Sequence, residues 1–166
     1  RALRPDTVLV SMMLVNNELG TLLPVREVSQ LIRRAGAPAL LHCDAVQGFL
    51  KVPFTPKELG ADLVSISGHK VHAPKGIGAL YIRSGLKLKP LLLGGGQENG
   101  LRSGTEPTAQ IAAFAAACRL GLSRREEDIR RMEDLKAYTL ARLAAEVPQV
   151  TPVAAGDAPH ILALTM

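Results

Sequence analysis

The sequence predicts an α/β fold in which a mostly parallel sheet is flanked by helices. Two observations predict it. Short apolar runs alternate with helical or turn segments along the first half of the chain, the pattern of strand–crossover–strand units. Polar clusters then follow these runs directly, where ligands sit in open α/β sheets.

Thr7 to Met13 is apolar and β-branched, so it reads as a buried strand. A polar turn follows from Leu14 to Gly20, with Asn16, Asn17 and Glu18. Pro24 stands where a helix begins. Val25, Val28, Leu31 and Ile32 continue at helical spacing until Gly36 stops the run. Ala39 to Cys43 is the second strand and ends in Asp44. Pro56 to Gly60 is a helical turn, Asp62 to Ser67 the third strand, and Ala79 to Arg83 the fourth. Leu91 to Thr105 is a glycine-rich connector too long for a simple turn.

Pro107 to Leu120 is rich in Ala and apolar nearly all round, which predicts a buried helix. Ser123, with Glu126 three residues on, reads as the capping box of a separate helix. Ile129, Met132, Leu140, Leu143 and Val147 form its apolar stripe, interrupted by Lys136. Pro159 to Met166 reads as a strand with no partner following it. A chain of 166 residues that lacks an initiator Met and stops inside a strand is expected to be part of a longer protein. No internal repeat is evident.

Composition narrows the function classes. With 47% hydrophobic and 21% charged residues, the chain resembles an ordinary globular domain, not a disordered one. The net charge of +5 raises the question of nucleic acid. Its charges alternate in sign from Arg119 to Glu146, as on a solvated helix face, and aromatics are only 3%, so stacking platforms are lacking. No nucleic-acid partner is expected. No apolar run approaches the roughly 20 residues of a membrane span, so no membrane partner is expected either. Cys43 and Cys118 are isolated, without metal-ligand spacing. They read as small packed residues in a reducing, cytoplasmic compartment.

Lys70 is the informative residue. It follows Ser67-Gly68-His69, directly after an apolar strand, with Asp44 one strand away at the same edge of the sheet. A lone lysine is usually a solvated surface charge. A lysine amine that takes an aldehyde, with an acid facing a pyridinium nitrogen, is the protein side of a pyridoxal phosphate site. Ser67 and His69 can donate to the phosphate. Asn17 could instead be a turn residue, Gln47 a helix cap, and Thr105 an N-cap for the helix at Pro107.

Five runs stand in order: Val-Asn-Asn-Glu-Leu-Gly from 15, His-Cys-Asp-Ala-Val-Gln from 42, Ser-Gly-His-Lys from 67, Pro-Lys-Gly-Ile-Gly-Ala-Leu-Tyr from 74 and Gly-Gly-Gly-Gln-Glu-Asn-Gly-Leu-Arg-Ser-Gly-Thr from 94. Together they closely resemble the cysteine desulfurases, in the class V aminotransferase group that also holds selenocysteine lyases. The resemblance runs from residue 7 to about residue 122 and continues more loosely to Met166.

It implies a three-layer α/β sandwich, part of the large domain of the fold type I aminotransferases. Residues 1–122 would belong to the cofactor domain, 123–148 to a connecting helix and 149–166 to the start of a small domain. The cofactor implied is pyridoxal 5'-phosphate, held as a covalent aldimine on Lys70, which would also move the proton at the substrate Cα. Asp44 would pair with the pyridine nitrogen, Asn17 and Gln47 with the ring hydroxyl, and Ser67 and His69 with the phosphate. Thr105 would reach the phosphate of the partner subunit in a homodimer with shared sites, and Arg102 would belong to the same connector.

The activity implied takes sulfur from L-cysteine, leaving L-alanine and an enzyme persulfide that feeds a sulfur-acceptor protein for iron–sulfur clusters or thio-cofactors. The persulfide cysteine would lie beyond Met166, so neither Cys43 nor Cys118 is assigned that role. Asn99 stands where several relatives carry a basic residue, which leaves the subgroup open. Selenocysteine lyase and a non-catalytic scaffold are the alternatives. A nucleotide-binding domain is disfavoured, because neither a Walker loop nor a strand-bound Gly-x-Gly-x-x-Gly is present.

Overall fold

The computed structural model describes residues 2–153 and 156–166. Four strands form one sheet in the order β1 (Leu9–Met13), β2 (Leu40–Asp44), β3 (Leu63–Ser67) and β4 (Gly78–Ile82). β1, β2 and β3 run parallel, and β4 returns antiparallel to β3. The fold is therefore α/β with a mostly parallel sheet, as the sequence predicts. Because the first three strands are parallel, their carboxyl ends share one edge.

Between β1 and β2 runs α1 (Val25–Arg34). Pro24 stands at its N-cap position without a side-chain hydrogen bond; Glu27 in its first turn and Arg33 and Arg34 in its last are favourable toward the helix dipole. Val25, Ser29 and Ile32 are its buried face. A short helix, α2 (Pro56–Leu59), follows β2. Thr55 caps it, accepting from the Glu58 amide at 3.2 Å while its hydroxyl donates to the Glu58 carboxylate at 2.8 Å.

Strand alternation divides the sheet into two unlike faces. Leu41, Cys43 and Val64 point into the main buried cluster, with Val10, Met12 and Ile66 at its margin and α1 and α2 packed over it. The opposite face carries a polar row. Ser11 Oγ lies 2.7 Å from His42 Nδ1, and His42 Nε2 lies 3.1 Å from Ser65 Oγ.

The C-terminal part departs from the expected elements. A single helix, α3, spans Thr108–Glu146 without a break at Ser123. The Ser123 hydroxyl donates to the Leu120 carbonyl at 2.9 Å, inside the helix. A Ser-x-x-Glu pattern suits a helix start, but helical periodicity continues through it. Continuing past Gly121 costs only about 1 kcal/mol. Nor is the first stretch of α3 buried: Phe114 is the buried residue of the helix, while Ile111 and Leu120 are exposed. The half-buried positions Ile129, Met132, Leu140 and Leu143 keep the predicted stripe.

Lys136 does not merely interrupt that stripe. Its ammonium donates to the carbonyls of Gly156 and Ala158, tying α3 to the C-terminal segment. In that segment only β6 (Leu164–Thr165) is strand, and it pairs antiparallel with an earlier partner, β5 (Thr151–Pro152). Positions 154 and 155 of this segment lie outside the described residues. No described helix is long and apolar enough to cross a membrane.

Candidate active site

The shared edge of β1, β2 and β3 is where the predicted site residues other than Thr105 lie. Asn17 is exposed in the turn after β1. The turn itself is built by Asn16, whose Oδ1 accepts from the amides of Glu18 at 3.0 Å and Leu19 at 2.8 Å. Asn17 is therefore not needed as the turn's side-chain anchor.

Asp44 ends β2, half-buried. Its Oδ1 accepts from the Val46 amide at 2.9 Å, which fixes the carboxyl group as the chain turns. Residues 46–50 form turns, so Gln47, half-buried, caps no helix. The same stretch continues to Lys51. Its ammonium donates to the backbone carbonyl of Lys70 at 2.7 Å.

At the end of β3 the chain enters a 3-10 turn, Gly68–Lys70. Sequence reading gives Gly68 the task of a sharp turn. The structure gives a steric reason. A Cβ there would lie 2.8 Å from Ile77 Cγ2 and 3.0 Å from Ala73 Cβ. The Gly68 amide also donates to the Ile77 carbonyl at 2.9 Å. This close packing aligns Ser67, His69 and Lys70, and Ser67 Oγ lies 2.7 Å from His69 Nδ1.

Asp44, Gln47, Ser67, His69 and Lys70 thus occupy adjacent strand ends, with Asn17 at the end of the next strand. Together they offer an amine, a carboxylate, amides, a hydroxyl and an imidazole. That set fits a phosphorylated aldehyde with a ring nitrogen and a ring hydroxyl. Thr105 stands apart. It lines a separate cavity with Gly76, Ile77, Gly78 and Arg102, between β4 and the glycine-rich connector. No cluster of metal-ligating side chains occurs among the described residues.

Behind the lysine turn is a cavity of about 560 Å³, bounded by Lys51, Lys70, Val71, His72 and one face of α3. Lys51 has its proton affinity lowered, first by burial and then by the Lys70 charge. Sequence reasoning passed over both Lys51 and His160. Neither ring nitrogen of His160 has a hydrogen-bond partner among the described residues. Burial, together with the charges of Lys51, Lys136 and Lys70, lowers its pKa to about 4. No motif marks either residue, since Lys51 bonds a backbone carbonyl and His160 is a single polar residue in an apolar run.

Both thiols suit packing better than chemistry. Cys43 is fully buried, and burial plus the neighbouring Asp44 raises its pKa to about 12. Burial also raises that of Cys118. A reactive thiol needs the opposite setting.

An aminotransferase class-V family model matches residues 1–166. A cysteine desulfurase, IscS, from Dictyoglomus turgidum is 42% identical over 150 residues, covering 90% of this chain and 38% of the relative. A solved NifS-like protein superposes with a TM-score of 0.90 at 38% identity, covering 96% of this chain and 44% of that one. The structure of SspA in complex with cysteine matches with a TM-score of 0.66 at 43% identity, over 71% of this chain and 34% of SspA. The chain therefore spans less than half the length of these relatives. On the extent of these matches, this chain belongs to the class V aminotransferase family.

Proposed function

We propose that this chain is the cofactor-bearing core of a pyridoxal phosphate-dependent cysteine desulfurase, which converts L-cysteine to L-alanine and holds the sulfur as a persulfide for an acceptor protein. The observation that carries the reading is the gathering of Asp44, Ser67, His69 and Lys70 at one sheet edge. Relatives named as cysteine desulfurases support it, as does the neighbour solved with cysteine.

When bound, pyridoxal phosphate supplies an electron sink for charge that develops at the substrate Cα. The chain's own residues do the rest. Ser67 and His69 would hold the phosphate as a pair: their mutual hydrogen bond uses one proton, leaving the His69 Nε2–H or the Ser67 hydroxyl, according to the tautomer, to donate to the phosphate. The Asp44 carboxylate would pair with the ring nitrogen and hold its proton in place. Its bond from the Val46 amide holds it there. Gln47 and Asn17 orient the ring hydroxyl. Lys70 would hold the cofactor through its amine, and the same amine would serve as acid and base for the proton at the substrate Cα. Thr105, on the connector, serves the site of a partner subunit in a homodimer. The two free thiols suit a reducing, cytoplasmic setting.

The test uses the full-length protein, reductant and L-cysteine, with alanine and sulfide measured together. Equal yields of both, lost in Lys70→Ala, are expected. Turnover that survives Lys70→Ala would overturn the reading. Selenocysteine lyase is the weaker alternative, because the named relatives act on cysteine. Strong preference for selenocysteine in the same assay would reverse that order.

A further inference from the structure

Lys51 sits at a junction the proposed mechanism does not use. It ends the turn that begins at Asp44, and successive backbone bonds stiffen that turn. The amides of Gly48 and Phe49 donate to the Ala45 carbonyl at 2.9 and 2.8 Å. Those of Lys51 and Val52 donate to the Gly48 carbonyl at 3.0 and 2.9 Å. Lys51 then reaches across to the Lys70 carbonyl at 2.7 Å. A continuous chain of bonds therefore runs from the Asp44 carboxylate, through Val46 and this turn, to the backbone of Lys70.

The backbone around this bond is unusual on both sides. Leu50, just before Lys51, has φ of 63°, and His72, two residues after Lys70, has φ of 67°. Left-handed conformations cost energy in residues other than glycine and persist where the surroundings impose them. Leu50 is held by α3. It packs so close that a Cβ on Gly121 would lie 2.5 Å from Leu50 Cδ1. Gly121 costs helix propensity, and its lack of a side chain lets Leu50 dock and Lys51 turn toward Lys70.

The charge arrangement is equally specific. No ion pair involves Lys51 among the described residues. Facing its neighbourhood are Lys70 and His72 from the lysine turn and His160 from the C-terminal segment. From α3 come Lys136, Arg124, Asp128 and Arg131. Cations outnumber the one carboxylate. A half-buried ammonium beside a second lysine is a poor choice for stability alone.

We propose that Lys51 is a positioning residue for Lys70: its hydrogen bond fixes the turn that presents the Lys70 amine, and it sets a fixed positive charge beside the lysine that carries the cofactor. Burial first, and then the charge of Lys70, lowers the proton affinity of Lys51, which places the two lysines within reach of each other's charge. The proposal rests on the reading that Lys70 carries the cofactor.

The experiment uses the full-length protein loaded with pyridoxal phosphate, comparing wild type, Lys51→Met, Lys51→Gln, Lys51→Arg and Lys70→Ala. Two quantities are read: the pH midpoint of the cofactor's visible absorption, and the rate at which cofactor-free protein captures pyridoxal phosphate in borohydride-fixable form. Removing a neighbouring positive charge favours protonation, so Lys51→Met raises the midpoint, by about one pH unit. Its capture slows about tenfold, as for loss of a charged hydrogen bond. Lys51→Arg keeps charge and donor, and keeps the wild-type midpoint. If Lys51→Met fails to fold, Lys51→Gln reads the charge effect in the same way.

An unchanged midpoint and capture rate in the Met and Gln variants, with the cofactor still on Lys70, would overturn the role of Lys51 alone. An equal midpoint shift in Lys51→Arg would also overturn it, since packing, not charge, would then be responsible. Cofactor still covalently fixed in Lys70→Ala would instead overturn the reading on which the proposal rests.

Discussion

Ser67 Oγ and His69 Nδ1 stand 2.7 Å apart where β3 passes into the lysine turn. This hydrogen bond orients both side chains and leaves one donor, the His69 Nε2–H or the Ser67 hydroxyl according to the tautomer, for a phosphate at the sheet edge. Replacing Ser67 by Ala is expected to weaken pyridoxal phosphate binding to the full-length protein by about tenfold. Thermal stability should change little, because Ser67 is only half-buried. A cofactor titration followed by absorbance checks this, and unchanged affinity would remove Ser67 from the phosphate site.

Asp44 has two tasks that substitution can separate. Its Oδ1 accepts the Val46 amide, which Asn can also do and Ala cannot. Asp44→Ala should therefore lose about 1 kcal/mol of stability, while Asp44→Asn loses little. On the proposed function, both should lose turnover of L-cysteine, because neither would offer a charge to the ring nitrogen. Denaturant melts beside activity assays on the full-length protein test the split.

At Gly68 the prediction is steric. A Cβ would crowd Ile77 and Ala73, so Gly68→Ala should destabilise the protein by about 1–3 kcal/mol. It should also displace Lys70 and slow covalent capture of the cofactor. Chemical denaturation and borohydride fixation measure the two effects.

Much of this was legible in the sequence. The strands ending at Asp44 and Ser67 announce themselves as apolar runs, and parallel pairing then brings their ends together. Lys70 is visible because Ser-Gly-His-Lys follows such a run. What stayed hidden has physical causes. Ser123 and Glu126 make a convincing helix start, yet nothing in the flanking residues breaks the helical period, so α3 runs through them. The sequence shows Gly68 as a turn residue, but its tight packing depends on Ile77 crossing over it. Lys51 and Lys136 both act through backbone carbonyls, which leave no trace in a side-chain pattern.

His160 makes stability depend on pH. Burial holds its folded-state pKa near 4, below the ordinary histidine value of 6.5. The unfolded chain therefore binds an extra proton between these values. Stability is fully present above pH 6.5 and falls as the pH drops toward 4. Replacing His160 by Phe should flatten that decline. Melting temperatures at pH 7, 5.5 and 4.5, chosen to span roughly the histidine range, decide it.

Cys43 should be inert in the folded protein. With its pKa raised to about 12 and no exposure, it should resist a thiol reagent near neutral pH, while half-buried Cys118 reacts faster. Both should react in denaturant. Cys43→Ala should leave the proposed turnover of L-cysteine in place in the full-length protein, and loss of that turnover in a folded variant would contradict this assignment.

The central claim is that Lys70 carries the cofactor. The most direct test is borohydride reduction of the full-length protein with pyridoxal phosphate, followed by peptide mapping by mass spectrometry. The account predicts the added cofactor mass on the peptide containing Lys70, and on no other lysine peptide. A folded protein with the mass on a different lysine, or with none, would contradict it.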